Sequence, residues 1–350
     1  MTRLDKLREQ FEACEIDALL VTYPANVRYL SDFSTPTDGR VLITPDEALL
    51  LTDGRYTAQA AEESSLQTEI ISHDWLGWLG DKLGERRLGF EAQHVTVTQL
   101  GRFRDVLQCE PVETTALVGT LRLHKTEAEI ELLRKAARIT DRAFSEILDA
   151  IKPGVREIDV ALELERIMRS HGAEDISFDI IVASGVRSAM PHGVASTKPI
   201  GNNEFVTLDF GAVVGGYHAD MTRTVAVGKV SDDLRAIYDA VLDAEQQALD
   251  AIAPGKNGQD IDLLARRVLD EAGYGEYFSH SLGHGVGLEI HEGPRLSRHV
   301  AQVLEPTMTV TIEPGVYIPD QAGVRIEDLA VITGDGFERL SHSDKQLIEL

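Results

Sequence analysis

The chain has 350 residues, of which 43% are hydrophobic and 26% are charged, values that are ordinary for a soluble globular protein of up to two domains. A net charge of −24 makes nucleic acid an unexpected partner, because the phosphate backbone would be repelled. The two cysteines form no CxxC pair, which indicates a reducing compartment. No apolar run approaches the roughly 18 residues of a membrane span, so we expect a cytoplasmic protein with no membrane partner.

The first third of the chain is predicted to be a small α/β domain. Short apolar runs predict strands over 18–21, 41–44, 48–52 and 69–72, and helical periodicity predicts helices over 75–83 and 98–107. This part shows no cluster of metal ligands or nucleophiles. A linker is predicted near residues 118–123, so we place the domains at 1–118 and 119–350.

The remainder of the chain contains a repeated helical pattern. Thr126 and Glu129 form a capping box that begins a long helix, which stops at Pro153 and Gly154, and a second helix runs from about residue 157 to Gly172. The pattern recurs with a long helix from Ser231, and AIKPG at 150–154 corresponds to AIAPG at 251–255, an offset of 101 residues. Two related halves and a pseudo-two-fold domain are therefore predicted.

Residues 204–225, EFVTLDFGAVVGGYHADMTRTV, predict a β-hairpin that carries two carboxylates. If Gly215 and Gly216 form the turn, Asp209 faces Thr222, and Asp220 becomes a diagonal neighbour of Asp209 on one face. Such neighbours lie roughly 7–8 Å apart, so the two carboxylates could share cations or repel each other. The alternative is an ordinary polar sheet face in contact with solvent.

Further polar residues follow in the second half, within largely apolar segments. His280, His284 and His291 lie in SHSLGHGVGLEIHEGP, Glu313 follows an alternating strand over 308–312, and Glu327 lies within a predicted strand over 324–331. Buried carboxylates are costly without partners, and the natural partners are cations. Two Asp, two Glu and one His match the charge of two divalent ions such as Mn²⁺, Co²⁺ or Zn²⁺. The chain has no HExxH motif, no GxSxG motif and no cysteine that looks catalytic.

Four stretches carry a family resemblance: SFDIIVASGVRSAMPHG, LDFGAVVGGYHADMTRT, HSLGHGVGLEIHEGP and TIEPGVYIPDQAGVRIED, which lie within residues 120–340. They resemble the Xaa-Pro peptidases, the prolidase and aminopeptidase P branch of the pita-bread metallopeptidases. The resemblance implies an α+β fold, with a pseudo-two-fold pita-bread catalytic domain preceded by a smaller α/β creatinase/prolidase-like N-terminal domain. In that family the N-terminal domain serves dimerisation and shapes the substrate pocket.

The resemblance also implies roles for individual residues. It implies a dinuclear metal centre, with Mn²⁺ as the favoured metal and a hydroxide that bridges the two ions. The ligands would be Asp209, Asp220, His284, Glu313 and Glu327. Of these, Asp220 and Glu327 would be bridging or bidentate. His192 and His291 would bind the substrate carbonyl and stabilise the tetrahedral intermediate, with Glu313 as the proton shuttle. His280, Tyr317 and Arg325 would line the site. From the sequence alone His192 reads as a turn residue, and Arg325 could serve only to neutralise the carboxylates.

The choice of substrate is left open by these motifs. The length of the chain resembles the compact prolidases, so we favour hydrolysis of Xaa-Pro dipeptides by a homodimer, with aminopeptidase P as the alternative. A dipeptidase must bind the proline carboxylate, and Arg325, Arg28, Arg40 and Arg55 are candidates. Methionine aminopeptidase, creatine amidinohydrolase and a catalytically dead binding module share the fold. The long N-terminal region and the presence of all five ligands argue against them.

Overall fold

The computed structural model describes residues 2–71 and 73–350 and divides the chain into two compact units, one ending at Arg122 and one spanning Leu123–Leu350. The segment predicted as a linker, 118–123, is largely a helix, Leu117–Arg122, and the division between the two units falls within that segment, after Arg122. This segment is helical because Val118 and Arg122 are both buried, and Arg122 donates a hydrogen bond to Asn26 Oδ1 at 2.9 Å. Among the described residues, no helix is apolar and long enough to cross a bilayer.

The N-terminal unit is built on a mixed six-stranded sheet in the order β4-β3-β2-β1-β5-β6. Its strands are β1 (Ala18–Val21), β2 (Arg40–Ile43), β3 (Ala48–Thr52), β4 (Gln67–Ile70), β5 (Leu88–Glu91) and β6 (Val112–Thr114). Its helices are α1 (Arg3–Arg8), α2 (Pro24–Ser31), α3 (Thr57–Glu63), α4 (Trp75–Leu83), α5 (Val97–Val106) and α6 (Leu117–Arg122). Strands β1, β2 and β3 pair antiparallel in succession, and the outer pairs are parallel.

Most of the secondary structure predicted for this unit is confirmed. The strands over 18–21 and 48–52 and the helix over 75–83 agree residue for residue, and the strand over 41–44 and the helix over 98–107 are displaced by one residue. The strand predicted over 69–72 is found at Gln67–Ile70, and the end of that prediction, Ser72, lies outside the described residues. The short helices α2 and α3 were not predicted.

Two helix pairs frame the second unit, as the internal repeat predicts. They are α7 (Glu127–Ile147) with α8 (Glu157–Ser170), and α9 (Asp232–Ala251) with α10 (Gly258–Glu271). Thr126 caps α7 in the predicted capping box with Glu129. Each pair contributes its apolar face to a separate hydrophobic cluster, so the two related halves are present in the structure.

The strands of this unit form several small sheets. They are β7 (Asp175–Ile176), β8 (Ile181–Ser184), β9 (Glu204–Phe210), β10 (Ala212–Val214), β11 (Tyr217–His218), β12 (Met221–Val227), β13 (Gly283–Gly285), β14 (Glu292–Leu296), β15 (Thr309–Ile312), β16 (Gly315–Ile318), β17 (Ala322–Arg325), β18 (Asp328–Ile332) and β19 (Phe337–Arg339). The sheet orders are β12-β9-β8, β11-β10-β7, β15-β18-β19, β13-β14 and β16-β17.

The predicted hairpin register is confirmed, with Val214 opposite Tyr217 and Asp209 opposite Thr222. The turn glycines Gly215 and Gly216 have φ values of 59° and 78°, a conformation that L-residues with a Cβ atom rarely adopt. The alternative of an ordinary polar sheet face in contact with solvent is excluded, because the threonines of this face are buried. The ladder also breaks at Gly211, where a Cβ atom would lie 1.8 Å from the carbonyl oxygen of Ala219.

The surroundings of Glu327 also differ from the prediction. Glu327 lies between β17 and β18, which belong to different sheets, rather than inside one continuous strand. Its N–H donates to the carbonyl of Thr222 at 3.1 Å, so the break joins the second half of the unit to the hairpin of the first half. The sequence contains a signal of this break, since the spacing of apolar residues lengthens from two to three between Ile326 and Leu329.

Candidate metal centre and active site

The predicted site residues converge on one cavity of about 490 Å³ within the unit Leu123–Leu350. Nine of the ten line it: His192, Asp209, Asp220, His280, His284, His291, Glu313, Arg325 and Glu327. The tenth, Tyr317, lies directly behind, since its hydroxyl is 2.9 Å from His280 Nε2 and 2.7 Å from an Nη atom of Arg325.

The five predicted ligands come from strands or strand ends of both halves. Asp209 lies on β9, Asp220 precedes β12, His284 lies on β13, Glu313 follows β15 and Glu327 precedes β18. Ligand atoms of Asp220, His284 and Glu327 all lie within 4.8 Å of one another. Glu313 Oε1 is 3.2 Å from His284 Nε2, which is itself 3.6 Å from Asp220 Oδ2.

The orientation of His284 suits a ligand that binds through Nε2. Its Nδ1 lies 3.0 Å from the carbonyl oxygen of Gly285, which can only accept a hydrogen bond. Nδ1 therefore carries a hydrogen, and Nε2 faces the carboxylates of Asp220 and Glu313. A histidine ligand held in this way through its second ring nitrogen is typical of protein metal sites.

The carboxylates carry an excess of negative charge. Burial raises the pKa of Asp220 well above its ordinary value, and the charges of Glu327 and Asp209 raise it further. Burial, followed by the charges of Glu313 and Asp209, does the same to Glu327. Burial also raises the pKa of Asp209, although Arg325 opposes the shift. Four carboxylates thus share a buried site with the single guanidinium of Arg325, and cations would relieve the repulsion among their charged forms.

Two carboxylate oxygens provide a direct test of whether cations fit. Asp209 Oδ1 and Glu327 Oε1 are buried, and no donor within the described part of the chain reaches them. Their partner oxygens are satisfied, because Asp209 Oδ2 accepts from Arg325 at 2.6 Å and Glu327 Oε2 accepts from Thr222 at 2.8 Å. A buried acceptor without a donor costs about 1–3 kcal/mol, more when charged. Carboxylate oxygens and one imidazole suit Mn²⁺, Co²⁺ or Zn²⁺, so the residues fit the implied metals.

Glu313 is ionised in this arrangement. Burial raises its pKa, but the hydrogen bond from His284 and the charges of His284 and His280 outweigh burial and lower it to about 2. The pKa of His284 is raised, because its hydrogen bond to Glu313 and the charge of Glu313 outweigh the effect of burial. Glu313 therefore faces the cavity as a carboxylate, the form that binds a cation or takes up a proton.

Arg325 is already committed to protein partners. Its side chain is 4% exposed and donates to Thr222 Oγ1 at 3.0 Å, to the carbonyl of Pro191 at 3.1 Å, to Tyr317 and to Asp209. Four of its five N–H donors are thus used. This arrangement favours the neutralising role for Arg325 over the direct contact with substrate.

The loop that carries His192 is held by a buried carboxylate in the first turn of α8. Glu157 accepts hydrogen bonds from the N–H and hydroxyl groups of Ser184 and Ser196, and from Arg187 Nε at 3.0 Å. Arg187 in turn donates to the carbonyl of Val194 at 2.8 Å. These contacts fix both ends of the segment on which the exposed His192 faces the cavity.

An equivalent carboxylate in α10 holds the loop that carries His280. Asp262 accepts from the N–H of Leu282 at 2.9 Å and from Arg266, whose guanidinium also donates to the carbonyls of Phe278 and His280. The Nδ1 of His280 donates to the carbonyl of Ser281, so its Nε2 accepts from the Tyr317 hydroxyl. Burial lowers the pKa of His280, although the charge of Glu313 opposes the shift.

His291 lies at the edge of the cavity against the predicted ligand His284, with the ring centroids 4.3 Å apart. Partial burial lowers its pKa, and the charge of His284 lowers it further. A neutral imidazole keeps one N–H with which to donate a hydrogen bond. This is the state expected of a donor to a developing oxyanion.

One cavity residue, Arg295, was missed from the sequence. It lies on β14 opposite His284 in register, and it is exposed at the cavity. No carboxylate in residues 2–71 or 73–350 pairs with its guanidinium. The sequence signal was present, since Arg295 follows His291 by four residues and directly follows the motif stretch that ends at Pro294, but spacing alone does not show that it faces the cavity.

Comparison with known proteins identifies the family. The family described as metallopeptidase family M24 matches residues 131–334, and the creatinase/prolidase N-terminal domain matches residues 3–124. The chain belongs to metallopeptidase family M24. It is therefore a metallopeptidase with a creatinase/prolidase N-terminal domain and a pita-bread catalytic domain, as the sequence predicts, and membership of this family implies divalent metal ions.

Several relatives are similar over nearly the whole chain. A curated Xaa-Pro dipeptidase of Pyrococcus furiosus is 39% identical over 350 residues, covering 99% of both chains. The solved structure of an Xaa-Pro dipeptidase from Bacillus anthracis is 46% identical with a TM-score of 0.96, covering 99% of both chains. The structure of an X-Pro aminopeptidase from Thermotoga maritima is 35% identical with a TM-score of 0.92 and covers 100% of both chains.

Proposed function

We propose that this metallopeptidase hydrolyses the Xaa-Pro peptide bond at a centre of two divalent cations, most plausibly Mn²⁺. The proposed ligands are Asp209, Asp220, His284, Glu313 and Glu327. The observation that carries the metal assignment is the pair of buried carboxylate oxygens to which no described residue donates, Asp209 Oδ1 and Glu327 Oε1, in a cluster of four carboxylates. The Xaa-Pro substrate is supported by the similarity to an Xaa-Pro dipeptidase and to an X-Pro aminopeptidase.

Cations bound there would supply Lewis acidity and a hydroxide nucleophile near neutral pH. The chain itself supplies the groups that act on the substrate. Glu313, an ionised carboxylate in the cavity, is placed to take up a proton and deliver it to the leaving proline nitrogen. His192 and His291 donate hydrogen bonds to the carbonyl oxygen as negative charge develops on it. Arg325 orients Asp209 and favours its ionised form.

We propose that Xaa-Pro dipeptides are the preferred substrates, with Arg295 binding the carboxylate of the C-terminal proline. Of the two arginines that line the cavity, Arg325 has four donors committed to the protein, whereas the guanidinium of Arg295 has no carboxylate partner in the described chain. A longer peptide would present an amide in place of the carboxylate and would need the same space. We thus propose Arg295 for the binding of the proline carboxylate in place of Arg28, Arg40 and Arg55, which belong to the N-terminal unit.

The test is kcat/KM with Mn²⁺ for Ala-Pro against Ala-Pro-Ala, in wild type, Arg295→Gln and Arg298→Gln. Loss of a charged hydrogen bond of about 1.5–3 kcal/mol should lower the value for Ala-Pro roughly 10–100-fold in Arg295→Gln, with a smaller effect on Ala-Pro-Ala. The exposed Arg298 contacts His299 and does not line the cavity, so it is the matched control. If wild type cuts the tripeptide as fast as the dipeptide, aminopeptidase P is the correct assignment.

We also propose that the protein acts in the cytoplasm as a homodimer, with the N-terminal unit contributing to the dimer. The family match over residues 3–124 supports this view and argues against methionine aminopeptidase. Sedimentation of the purified chain would test the dimer, and a monomer at all concentrations would refute it.

A further inference from the structure

Arg223 makes an unusually complete set of contacts beneath the proposed metal centre. Its side chain is 1% exposed on β12, and all five of its N–H donors find acceptors. The acceptors are the carbonyl oxygens of Thr222, Glu327, Ser343 and Asp344 and the carboxylate of Asp328. One guanidinium thus joins three separate segments of the chain.

These acceptors surround Glu327. The guanidinium binds the carbonyl of Glu327 and the side chain of the next residue, Asp328, at 2.6 Å. It also binds the carbonyl of Thr222. Thr222 lies two residues after Asp220, and its hydroxyl donates to the Glu327 carboxylate. Because Arg223 fixes the backbone of Glu327, Arg223 also sets the direction of the Glu327 side chain.

The third segment is the C-terminal end of the chain, which lies beyond residue 334, where the family match ends. Lys345 Nζ donates to Glu245 at 2.7 and 2.9 Å and lies 2.8 Å from Asp328 Oδ2, and its carbonyl accepts from Tyr238 at 2.9 Å. The last residues pair with β12 through an isolated parallel bridge between Glu349 and Ala226, with a backbone hydrogen bond from the N–H of Leu350 to the carbonyl of Ala226. The buried cluster is balanced, with two cations and two carboxylates.

We infer that Arg223 is a positioning residue for the metal centre, and that the C-terminal segment 343–350 holds it in place. The inference rests on the proposed function, in which Glu327 binds a cation. Lysine could keep the charge of Arg223, but it has three donors on one nitrogen and cannot span the five acceptors. Arg223→Lys should therefore release the backbone at Glu327 while the buried charge is preserved.

A purely structural cluster would behave differently from a positioning residue. If Arg223 only stabilised the fold, Arg223→Lys would lower the melting temperature of the metal-free protein and leave Mn²⁺ affinity unchanged. A positioning residue instead lowers metal affinity, and loss of such outer contacts typically costs 10–100-fold. Metal affinity of the apoprotein thus separates the two roles without relying on activity.

The experiment is calorimetric titration of chelator-treated full-length protein with Mn²⁺, together with the rise in melting temperature that Mn²⁺ produces. Arg223→Lys should raise the Kd of at least one ion roughly 10–100-fold and reduce that temperature rise. Asp328→Asn, which keeps the shape of the side chain and removes the charge of one acceptor, should shift Kd in the same direction and decides the question if Arg223→Lys does not fold.

One control disturbs the neighbourhood without touching the five contacts. Arg235→Gln removes an exposed ion pair to Glu349 of the same C-terminal segment, and it should keep the wild-type Kd. If wild type binds Mn²⁺ normally and every variant that folds has wild-type affinity, the positioning role is refuted and the proposed function is not. If wild type itself fails to bind Mn²⁺, the proposed function is overturned as well.

Discussion

Replacement of Thr222 by valine removes a single hydroxyl from the centre of the site. Thr222 is 0% exposed on β12, and its Oγ1 donates to Glu327 Oε2 at 2.8 Å and accepts from Arg325 Nε at 3.0 Å. Valine has nearly the same shape and favours strands, so packing and backbone preference are conserved. The effect of Thr222→Val is therefore that of the two lost hydrogen bonds.

The magnitude follows from the groups left without partners. Glu327 Oε1 already has no donor, so the variant would leave neither carboxylate oxygen of Glu327 with one, and Arg325 Nε would lose its acceptor. At about 1–3 kcal/mol for each newly unsatisfied group, the metal-free catalytic unit should lose roughly 2–6 kcal/mol of unfolding free energy. Thr207→Val is the matched control, because Thr207 is equally buried and bonds only to the neutral hydroxyl of Thr224, at 3.1 Å, a bond that contributes about 1 kcal/mol.

The assay is urea unfolding in the presence of chelator, followed by two signals. Both tryptophans, Trp75 and Trp78, lie on α4 of the N-terminal unit, so their fluorescence reports on that unit and should be unchanged. Far-ultraviolet circular dichroism reports on the helices of the catalytic unit and should show the loss. An equal, small loss in Thr222→Val and Thr207→Val would refute the account of how Glu327 is held.

Two further predictions concern the ligands and the hairpin. His284→Ala should lose bound metal, as measured by elemental analysis. His192→Ala and His291→Ala should keep the metal, and their kcat should fall by about 10²–10³-fold. Equal metal loss in all three variants would mean that the roles are wrongly assigned. Gly211→Ala places a Cβ atom 1.8 Å from the carbonyl of Ala219, so the backbone must move and both the melting temperature and Mn²⁺ affinity should fall; an unchanged melting temperature would contradict the close approach of these strands.

The parts of the site that the sequence predicts well are those with local signals. The register of the hairpin follows from Gly215 and Gly216, because only a two-residue turn with positive φ pairs Asp209 with Thr222. The two helix pairs follow from the capping box of Thr126 and from the repeat. In both cases a few neighbouring residues determine the local geometry.

The features that the sequence did not predict depend on contacts between distant segments. The break at Glu327 exists because its backbone bonds to Thr222, about a hundred residues earlier, and alternation alone favours a continuous strand. The engagement of Arg325 by Asp209 and the exposure of Arg295 at the cavity likewise require the folded arrangement. The helix over Leu117–Arg122 was not predicted either, because the burial of Arg122 is a tertiary effect.

The most direct test of the proposed centre is a titration of metal-free protein with Mn²⁺ in which bound ions and hydrolysis of Ala-Pro are measured on the same samples. We expect no turnover after chelation, restoration of turnover by Mn²⁺ and full activity at two ions per chain, because the buried carboxylates require cations. Full activity in a preparation that elemental analysis shows to be free of transition metals would contradict this expectation.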